Sequence, residues 1–226
     1  MSLQIEADSY DFPHDGDLRP DNTALVVIDM QADFCGEGGL STVSGTDLSM
    51  MRSPIGPIQR VLAAVRSFGI AVIYTREGHR PDGSDLTAVK KFRSRLGGAG
   101  VGDSSPLGRI LIRGDAGHAI IPELAPHADD VVLDKVGSGC FYGTEMEHLL
   151  RNRGIRNLIF VGVTTECCVH TSIREASDRG FDNLLLSDCT AAVTPALKEA
   201  SINILRNPLT LFGTVGTSDA LIRALG

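Results

Sequence analysis

Six short apolar runs recur along the chain with helix-like segments between them, and this alternation limits the possible folds more than any other feature. "TALVVID", "GIAVIYT", "DVVLDK", "NLIFVGV", "NLLLSD" and "LTLFGTV" are β-branched or leucine-rich, which suits strands buried on both faces. Between them lie "SPIGPIQRVLAAVRSFG", "GTEMEHLLRNRG", "VHTSIREASDRG" and "TPALKEASINILR", with apolar residues three and four apart and Gly69, Gly154 and Gly180 as C-terminal stops. The alternation predicts an α/β fold with three α/β/α layers, built on a mostly parallel six-stranded sheet covered on both sides.

With 226 residues, 42% of them hydrophobic, the chain can bury one substantial core. We read a single domain over 23–226, preceded by an N-terminal arm over 1–22 that carries Asp, Pro and Gly without periodicity. One stretch breaks the rhythm. Residues 76–117, "REGHRPDGSDLTAVKKFRSRLGGAGVGDSSPLGRILIRGDAG", are charged, glycine-rich and longer than an ordinary connection. They read either as a lid and pocket wall or as a solvated excursion.

A net charge of −7 without a basic run excludes attraction to nucleic acid or anionic lipid, leaving a small-molecule substrate as the expected partner. No stretch reaches the apolar length of a membrane span, and the N-terminal segment is acidic and polar, so a cytoplasmic protein is expected. The five cysteines, Cys35, Cys140, Cys167, Cys168 and Cys189, are odd in number and irregularly spaced, which predicts free thiols. The six histidines form no H-x-H or H-x-x-x-H pair, and adjacent cysteines rarely converge on one ion. No metal and no cofactor are expected.

Ligands of open parallel sheets bind beyond the carboxyl ends of the strands. Asp29 follows the first run, Lys135 ends "VVLDK", and "FVGVTTECCVHTSIREA" places Cys167 and Cys168 after another run. An acid, an amine and a thiol thus fall at one edge from distant parts of the chain. Singly, each has a plain structural role: a capping Asp, a solvated Lys, a core-filling Cys. Together they make a nucleophilic site, in which a cation and a helix N-terminus lower the thiol's pKa and a carboxylate moves its proton. Cys168 is preferred over Cys167, because it falls in the first helical turn, where unsatisfied N–H groups can hold an oxyanion. A poised Cys168 is expected to outpace the other four thiols toward a thiol probe at neutral pH. Arg76, Glu77, His79 and Arg80 end the second run at the same edge, and Phe34 follows the first. These are candidate substrate contacts, with lid ion pairs and a core aromatic as their alternatives.

The segments "ALVVIDMQADF", "LDKVGSGCF", "FVGVTTECCVHTSIREASDRGF" and "LSDCTAA" together resemble the isochorismatase-like cysteine hydrolases, from about Asn22 to the C-terminus. The resemblance implies a catalytic triad of Asp29, Lys135 and Cys168. It also implies a cis peptide between Val163 and Thr164, an oxyanion hole from the Thr164 and Cys168 amides, and a homo-oligomer, commonly a tetramer. Ser138, Phe141 and Thr165 fall within the same motifs as further substrate-binding candidates. "LRPDNTALVVIDMQADFCGEGG", "TREGHRPDGSDL" and "GRILIRGDAGHAIIPEL" resemble the biuret-cleaving branch, although Ser138 stands where an additional lysine is expected. The expected activity is C–N cleavage of a linear ureide, biuret (to allophanate and ammonia) or triuret, through a thioester-type intermediate. Ureidoacrylate and N-carbamoyl-amino-acid cleavage are the alternatives. A catalytically silent binding or scaffold protein, and a redox role for the vicinal cysteines, are the readings from other classes.

Overall fold

Every residue of Thr23–Ile28 is buried, as in a central strand with helices on both faces. The computed structural model describes residues 3–226. The first half of the chain runs β1 (Thr23–Ile28), the short helices α1 (Ala32–Cys35), α2 (Leu40–Val43) and α3 (Leu48–Arg52), then α4 (Ile55–Phe68), β2 (Ala71–Glu77) and α5 (Ala88–Leu96). A two-stranded hairpin follows, β3 (Ser104–Ser105) and β4 (Gly108–Arg109), then β5 (Val131–Lys135) and α6 (Met146–Asn152). The second half runs β6 (Asn157–Val163), a π-helical turn at Thr165–Val169, α7 (His170–Asp178), β7 (Asp182–Ala191), α8 (Pro195–Arg206), β8 (Thr214–Gly216) and α9 (Ser218–Leu225).

The main sheet has six strands in the order β5-β2-β1-β6-β7-β8, and every pairing in it is parallel. Alternation along β1 sends Leu25 and Val27 into one core with Ile58, Val61 and Leu221 of α4 and α9. Ala24, Val26 and Ile28 enter the other, with Met146, Ile173 and Leu205 of α6, α7 and α8. The chain winds outward from β1 through β2 to β5, then returns to the other side of β1 with β6. The crevice at that reversal is where such a sheet holds its ligand.

Two expectations need correction. "LTLFGTV" forms a strand only over Thr214–Gly216, because Leu209 and Leu211 lie exposed in the preceding turn, and Asn207 and Thr210 close that turn on themselves. Residues 76–117 are not a plain solvated excursion: Val101, Ile110 and Leu111 are buried in the core, whereas α5 buries no residue at all. The N-terminal segment is tied down, with Ile5, Phe12 and Leu18 buried and Asp8 bridged to Val215 beside β8. No helix among the described residues is long and apolar enough to cross a membrane.

Gly162 shows how tightly the central strands are built. It has φ +111°, and an added Cβ would lie 2.0 Å from the Ile28 carbonyl oxygen of the neighbouring strand. Backbone cannot retreat as a flexible side chain can. Gly162→Ala is expected to cost at least roughly 3 kcal/mol, measured as a lowered midpoint in urea unfolding.

Candidate active site

Asp29 is the residue at which β1 stops. Its φ of +48° is in the left-handed region that Asp tolerates better than most side chains, and its carboxylate is fully buried. Thr75 Oγ1 on β2 donates to Oδ1 at 2.6 Å, and Lys135 Nζ, at the end of β5, lies 2.7 Å from Oδ2. The Lys135 ammonium also donates to the Gly137 carbonyl at 2.9 Å and lies 3.6 Å from Glu77 Oε2. Cys168 arrives from the other side of β1, inside the π-helical turn that joins β6 to α7. Such turns are frequent at functional sites because they displace one residue from the helical register.

The loop after Lys135 is hooked to α7. Cys140 N–H donates to Ser172 Oγ at 3.1 Å, Ser172 Oγ donates to the Cys168 carbonyl at 2.6 Å, and Phe141 N–H donates to Glu175 Oε2 at 2.9 Å. The lysine strand and the thiol turn are therefore fixed relative to each other. The Val163–Thr164 peptide is cis. The Thr164 carbonyl accepts from the amides of Cys167 (3.2 Å) and Val169 (3.1 Å), on either side of Cys168.

A cavity of about 430 Å³ opens above Cys168. Phe34, Glu77 and Ser138 line it together with Thr164, so the structure brings these sequence candidates to the thiol. The other candidates lie elsewhere. Arg76 pairs with Asp134 at 2.8 Å, since the period of two along β2 turns it to the face opposite Glu77. His79 is buried, with Nδ1 3.2 Å from Asp85, and Arg80 is exposed outside the cavity. Phe141 packs on Phe181 with ring centroids 5.8 Å apart, and the buried Thr165 is not among the lining residues.

Several lining residues carried no sequence signal. Lys90 reaches in from α5, its ammonium 2.6 Å from Glu77 Oε1 and donating to the Val136 carbonyl at 2.5 Å. Glu166 accepts from the Val193 N–H at 3.0 Å through Oε1, while its Oε2 is buried without a hydrogen-bond partner. Behind the lining and not part of it, the buried Asp33 accepts from the Leu111 N–H at 2.8 Å and so ties the 76–117 segment to α1. The adjacency of Glu166 to the cysteine pair was the one available clue to that residue.

The electrostatics reverse one expectation about the thiols. The hydrogen bond with Cys167 and then burial push the Cys168 thiol well above its ordinary range, with Lys135 opposing them. Cys167 is the exposed partner. The same hydrogen bond and that to Ser138 bring it down to about 7 against the effect of burial. Rapid alkylation at neutral pH is therefore expected at Cys167, and Cys168 rests protonated until a base takes its proton. Burial disfavours the Lys135 ammonium, but Asp29, Cys168 and Glu77 outweigh it and hold its pKa well above the usual lysine range. Asp29, Glu77 and Cys168 place potential ligand atoms within 4.8 Å of one another. The positive charge beside these groups is already supplied by Lys135.

A parallel sheet with a buried acid, amine and thiol at its carboxyl edge defines a class of small α/β hydrolases that act on C–N bonds. The Isochorismatase domain family matches residues 23–220, and the chain belongs to the isochorismatase-like cysteine hydrolases. It is 33% identical over 212 residues to the ureidoacrylate amidohydrolase RutB of Agrobacterium fabrum, covering 88% of each chain. It is 34% identical over 217 residues to the ureidoacrylate amidohydrolase RutB of Methylorubrum extorquens strain DM4, covering 91% of this chain and 83% of that one. A cysteine hydrolase from Pseudomonas syringae pv. phaseolicola superposes with a TM-score of 0.78 at 28% identity over 97% of both chains. N-carbamoylsarcosine amidase from Thermoplasma acidophilum gives a TM-score of 0.65 at 27% identity, over 88% of this chain and 97% of that one. These relatives make the chain an isochorismatase-like amidohydrolase. The substrate in the names of the curated relatives is ureidoacrylate, an alternative in the sequence reading rather than its first choice.

Proposed function

We propose that the protein hydrolyses the terminal C–N bond of a small ureido compound and releases ammonia, with Cys168 as nucleophile and Asp29 and Lys135 completing the triad. The observation that carries this reading is Cys168 in the lining of a cavity, beside a fully buried Asp29–Lys135 pair. The ureido carbonyl sits above Sγ with its oxygen toward the Thr164 and Cys168 amides, in the manner of an oxyanion hole. Sulfur adds, ammonia leaves, and water releases the acyl group from the thioester-type intermediate.

For the substrate, ureidoacrylate is the first reading, supported by the names of the curated relatives. A neutral linear ureide, biuret or triuret, is the second, supported by the cavity's charge. Its lining carries the carboxylates Glu77 and Glu166 against the single cation Lys90, which suits a ligand rich in N–H donors. Ammonia release from ureidoacrylate, biuret, triuret, N-carbamoylsarcosine and nicotinamide decides between them. Turnover confined to nicotinamide, or to none of these, defeats the proposal.

Glu166 lines the cavity beside the two cysteines, and its carboxylate is the candidate acceptor for a distal ureido N–H. Glu166→Gln is expected to raise KM about tenfold or more, the worth of one charged hydrogen bond, with kcat little changed; steady-state kinetics check it. Homo-oligomerisation belongs to the same proposal. It is supported by Val89, Phe92 and Leu96, which α5 leaves exposed, and light scattering on the eluting protein is expected to give a multiple of the monomer mass.

A further inference from the structure

We propose that the cavity selects N-substituted ureas whose substituent is an apolar chain or ring, the tail lying on a hydrocarbon wall that shares the chamber with Cys168. The ureido head rests on the proposed hydrolysis; the tail follows from the wall. Cys168 belongs to the core on one face of the sheet. Phe34, Leu40, Ala99, Val101, Ile110 and Leu111 also line the cavity, and they belong to the core on the other face or pack against it. Most of them come from the 76–117 segment. The polar groups gather at the thiols instead: Glu77 Oε2 is 3.3 Å from Cys168 Sγ, Lys90 is 2.6 Å from Glu77 Oε1, and Ser138 Oγ is 3.4 Å from Cys167 Sγ.

The apolar wall has little to offer a polar ligand, because its backbone is already engaged within the protein. The Val101 N–H donates to Ser94 Oγ at 3.0 Å, the Ile110 N–H to the Asp103 carbonyl at 3.0 Å, and the Leu111 N–H to Asp33 Oδ2 at 2.8 Å. The Ile110 and Leu111 carbonyls accept from the Gly102 and His79 amides at 2.9 and 2.8 Å. Neighbouring hydroxyls are likewise turned inward, Ser94 donating to the Lys91 carbonyl at 3.0 Å and Ser44 to the Ser41 carbonyl at 3.1 Å. Among the described residues Lys90 is the one cation in the lining, and Glu77 and the Val136 carbonyl already hold it.

A second carbonyl or a carboxylate set against this wall gives up its water without replacement, which is costly. A hydrocarbon group gains by the same move. Size points the same way. At about 430 Å³ the cavity is within the range of roughly 300–1,000 Å³ that takes drug-sized ligands, and a ureido group alone would leave most of the wall in water. In such a urea, R–NH–CO–NH₂, the bond that breaks joins the carbonyl carbon to the unsubstituted nitrogen. Water gives a proton to that nitrogen, which leaves as ammonia, and a hydroxyl to the carbon, which remains in the N-substituted carbamic acid.

The test measures binding by isothermal titration calorimetry in Cys168→Ala, so that no ligand is consumed, with methylurea, n-butylurea, n-hexylurea and phenylurea as probes. A fully buried methylene is worth about fourfold in affinity, so n-butylurea, even incompletely covered, is expected to bind at least about tenfold tighter than methylurea. Ala99→Leu, added to that background, fills part of the wall and is expected to reduce this ratio to about fourfold or less, the worth of one methylene. Val101→Thr, which keeps the shape and adds a hydroxyl, is expected to shrink the ratio too and serves if the leucine variant fails to fold by circular dichroism. Equal affinities along the series, no binding of any member, or a ratio that the wall variants leave unchanged overturns the inference. Ammonia release by the unaltered protein separates this result from the proposed function. Tail-dependent affinity without ammonia from any urea or ureide keeps the binding wall and defeats the hydrolysis, whereas ammonia from biuret with flat affinities keeps the hydrolysis and defeats the wall.

Discussion

Under the proposed hydrolysis, Cys168→Ala is expected to end ammonia release, with kcat falling by at least about 10⁴-fold, the scale on which loss of a nucleophile is felt in comparable acyl-transfer enzymes. No other group can replace the sulfur. Cys167, though adjacent, is turned outward with its Sγ 3.4 Å from Ser138 Oγ. The fold should survive, because the change removes one sulfur from a turn anchored by Ser172 and Val169, at a cost near about 1 kcal/mol. An ammonia assay beside a thermal melt separates the two effects. A variant that melts normally yet keeps a tenth of the activity sinks the nucleophile assignment. An unaltered protein that turns nothing over restores the binding or scaffold reading.

Lys135→Met has a large effect on stability as well as on rate. The ammonium is fully buried and compensates two carboxylates, Asp29 at 2.7 Å and Glu77 at 3.6 Å. Removing one partner of a buried pair leaves uncompensated charge and costs about 3–5 kcal/mol. For a chain of this length that lowers the melting temperature by roughly 6–20 °C. The sign of the pH dependence follows from Asp29. Burial raises its folded pKa, and without Lys135 the rise is larger. A carboxyl raised on folding contributes stability that is present below its unfolded pKa and lost as pH rises through the folded one. The deficit of the variant is therefore smaller near pH 5 than near pH 8. Melting curves at the two pH values check it, and an equal deficit at both contradicts the account.

The sheet was legible because each run is long enough to show its burial and is bounded by glycine or a charged residue, as with Gly69 before β2 and Lys135 closing β5. The acid, amine and thiol were legible for a related reason: each is a reactive side chain at the carboxyl end of an apolar run, and parallel strands bring such ends together. Substrate contacts were harder to read. Arg76 and Glu77 are neighbours in sequence, and only the register of β2 against β5, Arg76 beside Asp134 and Glu77 beside Lys135, sends one away from the cavity and the other into it. Lys90 was hidden because α5 has no apolar face in the core to give it a helical signature. The last strand was overextended because Leu209 and Leu211 are apolar without being buried. Hydrophobicity alone does not distinguish a core strand from an exposed turn.

The helix α5 forms part of the cavity wall through Lys90 and Ser94 but lends nothing to the core. Its sequence is thereby released from the constraints of folding. Substitutions on its outward positions, away from Lys90 and from the exposed Val89, Phe92 and Leu96 that support the proposed assembly, should fall within about ±0.5 kcal/mol, as elsewhere on a surface, while those facing inward reshape the chamber. A library confined to Ala88–Leu96 would then explore substrate range with most of its members still folded, the cavity wall changing without the chemistry beneath being rebuilt.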